Sequence, residues 1–277
     1  MCLALFVIGI LHASPADAQY DAESIIQRSV QANVMDWDAA PDYDYRERDW
    51  QPDDGSKCYE VRMIVGSPYE RLVAVNDKPL TSEQEARERK KLEGAVARRQ
   101  KESEQERAER VARYERDRKR DQLLMDQLPK AFQFKLVGEQ SLDGHDVYVL
   151  RATPRPGYQP PNVEARVLTG MEGTLWIDKT TFQWVKVEAQ VIHPVSIAGF
   201  LARVEPGTQF DLEKMPIEGE IWLPKHFGMK SRTTVLLLFH RNSEVEENYF
   251  DYRRSVSNCD LAHSPWEGHG CLKSRAR

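Results

Sequence analysis

Two spacings of apolar residues alternate along this chain, and each predicts a different kind of element. Between 21 and 35 the side chains Ile25, Ile26, Val30 and Val34 recur every three or four residues, which predicts an amphipathic helix. Its apolar stripe needs a surface to cover. Further on the period drops to two: 57–65 and 69–76 both alternate, with Tyr59, Val61 and Met63 on one face of the first. Gly66, Ser67 and Pro68 lie between them, so the two runs are predicted as a hairpin. Residues 43–48 alternate as an earlier strand would.

From 81 to about 127 the composition changes to Glu, Arg, Lys, Gln and Ala, which predicts a helix that is either long or broken once. Its apolar residues are few (Leu92, Val96, Val111, Tyr114, then Leu123, Leu124 and Leu128) and form no heptad, so a coiled-coil partner is not indicated. Interleaved charges of both signs suggest a solvated arm held by pairs four residues apart. Alternatively, its Arg-rich half, 107–120, offers a surface to anionic headgroups or an acidic protein.

After Pro129 alternation returns to the end of the domain. Strands are predicted at 132–140, 147–153, 172–178, 184–192, 200–205, 221–227, 231–241 and 247–252, divided by turn signals such as Asp143-Gly144, Pro206-Gly207 and Glu218-Gly219. Strands in sequence joined by short turns make an antiparallel meander. The expected fold class is therefore α+β, mainly β: a curved antiparallel sheet or open half-barrel covered by helices, with a long charged helical insertion at 81–128.

Val185, Val187 and Val191 fall on the odd positions of 184–192, with Lys186, Glu188 and Gln190 opposite. Leu175 and Ile177 alternate in the same sense, and Ile221 and Leu223 continue it. The run from Val235 through Leu237 to Phe239 is apolar on both faces and reads as a central strand or one covered by a helix. A sheet of this many strands curls, and few helical residues remain to cover its inner face. A cavity for an apolar ligand and a core filled by Trp176, Phe182, Trp184, Phe200, Phe210 and Trp222 both fit that shortage. The ligand-binding residues expected on the first alternative are Leu175, Ile177, Val185, Val187, Val191, Ile221, Leu223, Val235 and Leu237 from the sheet, with Ile26 and Val30 from the first helix.

Composition adjusts this picture in three places. An apolar run at 3–11 followed by Pro15 and Ala16-Asp17-Ala18 resembles a secretory signal peptide, expected at 1–18 and cut before Gln19, although no Lys or Arg precedes the run. Beyond it the expected domain is 19–254, with a tail at 255–277. Export admits disulfides, and Cys259 with Cys271 is the expected pair, leaving Cys58 as a small buried side chain. Those two cysteines with His263 and His269 could also hold zinc, but the spacing matches no finger, so no metal and no cofactor is expected. Finally, a net charge of -5 gives no global field for nucleic acid, and neither a nucleophile elbow, a zincin helix, a phosphate loop nor a Cys-x-x-Cys is present. No catalytic residue is assigned, and the chain is not expected to be an enzyme.

The segment GTLWIDKTTFQWVKVE at 173–188 resembles a strand, turn, strand unit of the periplasmic LolA, LolB and RseB-like group. The order around it fits: an N-terminal helix, an early hairpin, an excursion, and a closing Tyr249-Phe250-Asp251-Tyr252-Arg253. The resemblance implies an open barrel of about eleven strands, closed by helices, whose interior receives acyl chains of lipoproteins or other lipids, or senses them. It also implies an early-strand arginine that holds the lid by hydrogen bonds to backbone, for which Arg62 or Arg71 is the candidate. The expected function is thus a monomeric periplasmic carrier or sensor, with outer-membrane association and a membrane or membrane-protein donor and acceptor as further expectations. The alternative is a non-enzymatic interaction module that docks a partner through the charged arm over a fully packed β core.

Overall fold

A computed structural model describes residues 20–197, 202–235 and 239–255. Asp21 caps the first helix, α1 (Ala22–Ala39), by accepting from the Ser24 amide at 2.7 Å. Its buried positions, Ile25, Ile26, Ser29, Ala32 and Asp36, lie on one side. Four strands follow, β1 (Tyr43–Gln51), β2 (Gly55–Ile64), β3 (Ser67–Val75) and the short β4 (Lys78–Pro79). The β2–β3 turn is Val65-Gly66, both with positive φ (48° and 86°), rather than the triplet beginning at Gly66. A β-branched residue there is strained.

The charged segment forms two helices, α2 (Ser82–Lys101) and α3 (Glu104–Met125), so the break is single. Thr81 with Gln84 and Ser103 with Glu106 make reciprocal capping boxes, and the second of these starts a new helix in mid-segment. A turn of helix, α4 (Leu128–Ala131), leads into β5 (Phe132–Leu142), β6 (His145–Pro154), β7 (Met171–Asp178) and β8 (Trp184–Val191). Then come β9 (Val195–Ser196), β10 (Ala202–Val204), β11 (Gln209–Glu218), β12 (Ile221–Val235) and β13 (Phe239–Arg254).

All thirteen strands join one sheet, antiparallel throughout, in the order β4-β3-β2-β1-β13-β12-β11-β8-β7-β6-β5, with β10 beside β12 and β9 beside β10. The sheet is not closed into a barrel. Its two edges are β4 and β5, the strands that flank the helical excursion. Laid flat, those edges would be roughly 48 Å apart at about 4.8 Å per strand, and helices of 20 and 22 residues span about 30 Å each. The excursion is long because it connects one edge of the curved sheet to the other.

Three strand expectations change. The segment Gln209–Glu218 is β11, which the alternation of Phe210 and Leu212 could have signalled had Lys214 and Pro216 not interrupted it. One 15-residue strand, β12, takes in 221–227 and the first part of 231–241. Val235 ends β12 and pairs with Phe239, which begins β13, so the predicted strand 231–241 is divided between two strands. Its middle, including Leu237, lies outside the described residues, as do 1–19 and the Cys259–Cys271 pair. Cys58, 3% exposed, is disulfide-bonded rather than a free buried thiol, with its partner outside the described residues.

The main core lies between α1 and the β5–β8 side of the sheet. Ile25 and Ile26 pack with Tyr148, Leu150, Leu175, Ile177, Trp184 and Val191, and the 3-10 turn Glu164–Gly170 adds Ala165 and Leu168.

Candidate functional site

The sheet's inner face, the one α1 covers, has two halves of different character. On the β5–β8 side it is packed core. Register carries the same face across the sheet: Leu212 pairs with Phe227, Phe227 with Glu247, and Glu247 with Asp49. On that second side the face is lined by Tyr45, Glu47, Asp49 and Tyr249, with Tyr114 of α3 nearby. Burial pushes the Glu47 carboxyl up to about 9, helped by Asp49 beside it, and raises those of Asp49, Glu70 and Glu247.

Between the two halves, under the C-terminal part of α1 and the end of α3, is a cavity of about 190 Å³. Its walls are mainly apolar: Val30, Val34 and Trp37 from α1, Met125 from α3, and Trp184, Leu212, Leu223 and Pro224 from the sheet. A larger, more open groove of about 440 Å³ lies on the opposite face of β7 and β8, but charged side chains of both signs line it.

Polar groups in the cavity wall are tied down. Lys214 bonds the Asp36 carboxylate and, at 2.8 Å, Asn33 Oδ1. Asp36 Oδ1 accepts from Gln183 Nε2 and from the Trp222 amide, both at 2.9 Å. Burial pushes the Asp36 carboxyl up and the Lys214 ammonium down, and their mutual attraction opposes both shifts. This network fixes the end of α1 to β11 and β12, so the cavity's floor is held rigidly.

Arginines of the excursion hold the roof. Arg99 of α2 donates to the carbonyls of Ile64, Ser67 and Pro68 at 2.8–2.9 Å. Arg110 of α3, paired with Glu102, donates to the strained Val65 carbonyl at 3.0 Å and to Ser67 Oγ at 2.7 Å. At the far end Arg118 donates to the Trp37 carbonyl and lies 4.8 Å over its ring. The arm is thus fastened at the α2–α3 junction and in the second half of α3 instead of being merely solvated.

The expected site residues separate. Val30 and Leu223 line the cavity. Ile26, Leu175, Ile177, Val187 and Val191 belong to the packed core or lie against it. Val185 does not share their face: a bulge opposite Trp176/Ile177 shifts the register by one, and Val185 packs with Val147 and Trp222 in a separate cluster. Ile221 is half-buried and is in neither cluster nor cavity wall. The side chain of Val235 and all of Leu237 lie outside the described residues. Arg62 and Arg71, the expected lid arginines, lie on β2 and β3. They stand on the opposite face to Val61 and bind Glu60, which is fully buried. Arg99, Arg110 and Arg118 make arginine-to-backbone contacts from the helices toward the sheet or α1. Leu212, Lys214, Trp37 and Met125 were missed because they meet only in space.

Among the described residues no group of three or more His, Cys, Asp or Glu side chains could hold a metal, and no helix is long and apolar enough to cross a membrane.

Fold and site define a curved antiparallel sheet enclosing an apolar cavity beneath a helical roof. No family model and no curated protein matches the chain. Solved structures similar to it include a LolA superfamily protein from Nitrosomonas europaea, at 13% identity and a TM-score of 0.33, covering 88% of this chain and 98% of that one. A putative outer membrane lipoprotein-sorting protein domain from Vibrio parahaemolyticus aligns at 12% and 0.32, covering 85% and 97%. The MucA/MucB complex of Pseudomonas aeruginosa aligns at 10% and 0.23, covering 85% and 99%. These are the groups that segment 173–188 resembles. At such identities and scores the likeness carries no functional argument, which has to come from the cavity.

Proposed function

We propose that this protein is a non-enzymatic periplasmic carrier or sensor that binds an apolar chain, from a lipid or a lipoprotein acyl group, in the cavity beneath α1 and α3. The observation that carries the reading is the cavity itself: apolar side chains from two helices and three strands surround about 190 Å³. That space has room for part of one hydrocarbon chain. Each methylene buried is worth roughly 0.8 kcal/mol. The resemblance of 173–188 to the LolA and RseB-like unit supports the same reading, and export by the 1–18 leader belongs to it. An arm clamped onto the sheet by Arg99, Arg110 and Arg118 serves better as a roof than as a free docking surface.

Native mass spectrometry of protein from its host tests the reading. A co-purified lipid adduct is expected, and Val30→Trp, which fills the cavity, is expected to remove it while leaving the circular dichroism unchanged. Excision of 82–125 is expected to lose the adduct with the roof. An adduct unaffected by both changes would place any ligand elsewhere, and its absence from the unaltered protein would discard the reading.

A further inference from the structure

Cys58 stands on the outer face of β2, packed with Ala74 and Phe250, and is disulfide-bonded. Its partner is one of the other cysteines, Cys2, Cys259 and Cys271. Cys2 leaves with the leader on the export reading. Chain length separates the remaining two. Ser255 follows β13 and is held beside the start of β1, its amide donating to the Asp42 carbonyl at 2.8 Å and its Oγ to Asp44 at 2.7 Å. Cys58 pairs with Arg48, six residues along the chain from Asp42, and lies two strands across from β13. At about 3.4 Å per residue and about 4.8 Å per strand, the two points are about 22 Å apart on the sheet. Cys259 is four residues beyond Ser255, a reach of at most about 14 Å, and the chain has to turn back first. Even with the roughly 6 Å between bonded cysteine Cα atoms it falls short. Cys271, sixteen residues beyond Ser255, spans the gap. We propose that Cys58 is bonded to Cys271, and that residues 256–271 thereby lie over the outer face of β1 and β2.

That face needs a cover. Arginines on a solvated sheet face keep their heads in water, yet Arg46 and Arg62 are buried there and Glu60 entirely so. Among the described residues α1 lies against β5 and β12, α2 against β3, and α3 nears β1 on the inner side, at Tyr45. The charge of the outer face suits the proposed segment. Glu60 binds Arg62 and Arg71, and Asp251 binds Arg46. Burial pushes the Arg253 guanidinium down, opposed by Glu60 and Asp44 and aided by Arg62 and Arg46. Arginines therefore outnumber the carboxylates Asp44, Glu60 and Asp251 around them. Residues 256–271 carry Asp260 and Glu267 and neither Lys nor Arg, whereas Lys273, Arg275 and Arg277 follow Cys271. The bond brings the acidic stretch to the arginines and leaves the basic end beyond it. Forming it moves two electrons and two protons from the two thiols to a disulfide of an exchange partner, which becomes a dithiol. Cys259 is left as a thiol, and the expected Cys259–Cys271 pair does not form.

The unreduced full-length protein is treated with N-ethylmaleimide, digested and mapped by mass spectrometry. A peptide pair joining Cys58 to Cys271 is expected, with the maleimide on Cys259. A bond from Cys58 to Cys259 or Cys2, or one between Cys259 and Cys271, would overturn the pairing. The cover is read by chymotrypsin cleavage after Trp266 under native conditions. Cys271→Ser is expected to speed that cleavage about tenfold or more, since the tether is what keeps the segment concentrated at the face. Asp260→Asn with Glu267→Gln is expected to speed it about two- to fivefold with the disulfide kept. Cleavage as fast in the unaltered protein as in C271S would show a tether without a cover and reject that half of the proposal, and an unchanged rate in the charge variant would remove the arginines from it. The peptide map needs no variant and the charge variant keeps the bond, so both halves remain testable where C271S fails to fold.

Discussion

The residue that most constrains the site is Lys214, whose side chain is 8% exposed and bonded to Asp36 at 4%. Taking both charges out of water is costly, and hydrogen bonds from Asn33, Gln183 and the Trp222 amide help the pair to offset that. Replacing Lys214 by Met should strand the carboxylate and destabilise the fold by about 3–5 kcal/mol in urea titrations. The double change with Asp36→Asn should recover at least half of that loss, since neither charge then remains. A double variant no better than the single would show that packing, not charge, makes the position sensitive.

Among the elements, α2 and α3 are the ones whose sequence and role diverge most. Both are dominated by charged residues, and their exposed ion pairs, such as Arg87 with Glu83, contribute little individually. What fixes them is three arginines bonded to backbone carbonyls. Hydrogen bonds from a charged donor are worth about 1.5–3 kcal/mol, so Arg99→Ala should loosen the excursion locally. Amide exchange across 82–125 and the Val65-Gly66 turn is expected to accelerate by at least tenfold, with little change in β6 and β7. Unchanged exchange would mean that the half-buried Leu92 and Val96 hold the helix without the arginine. The roof would then not be latched.

For the molecule as a whole, the second half of the inner face sets a pH dependence. Glu47 titrates near 9 when folded and near 4.5 in the unfolded chain. Between those values the folded state retains a proton that the unfolded state has released, so stability falls as pH rises through that window. The loss is complete above pH 9 and absent below about 4.5. Asp49, Glu70 and Glu247, raised chiefly by burial, act with the same sign. Urea midpoints are therefore expected to decrease from pH 5 to pH 9, and Glu47→Gln to flatten that slope. A variant as steep as the unaltered protein would remove Glu47 from the account.

Local periodicity decided the kinds of element. The helical stripe of Ile25, Ile26 and Val30 and the alternation of 147–153 and 172–178 are properties of adjacent residues, since side-chain direction repeats every 3.6 or 2 positions. The Ser103 capping box likewise marks the helix break from four residues alone. The cavity was not legible in this way. Val30, Met125, Trp184, Leu212 and Leu223 come from five elements, and only the register of β8, β11 and β12 beneath two helices brings them together. A single bulge removed Val185 from the face that alternation assigned it, because a one-residue shift reverses every side chain beyond it. Sheet order, the course of the excursion from edge to edge, and the partner of each buried charge depend on contacts between residues far apart in the chain, which its local pattern does not encode.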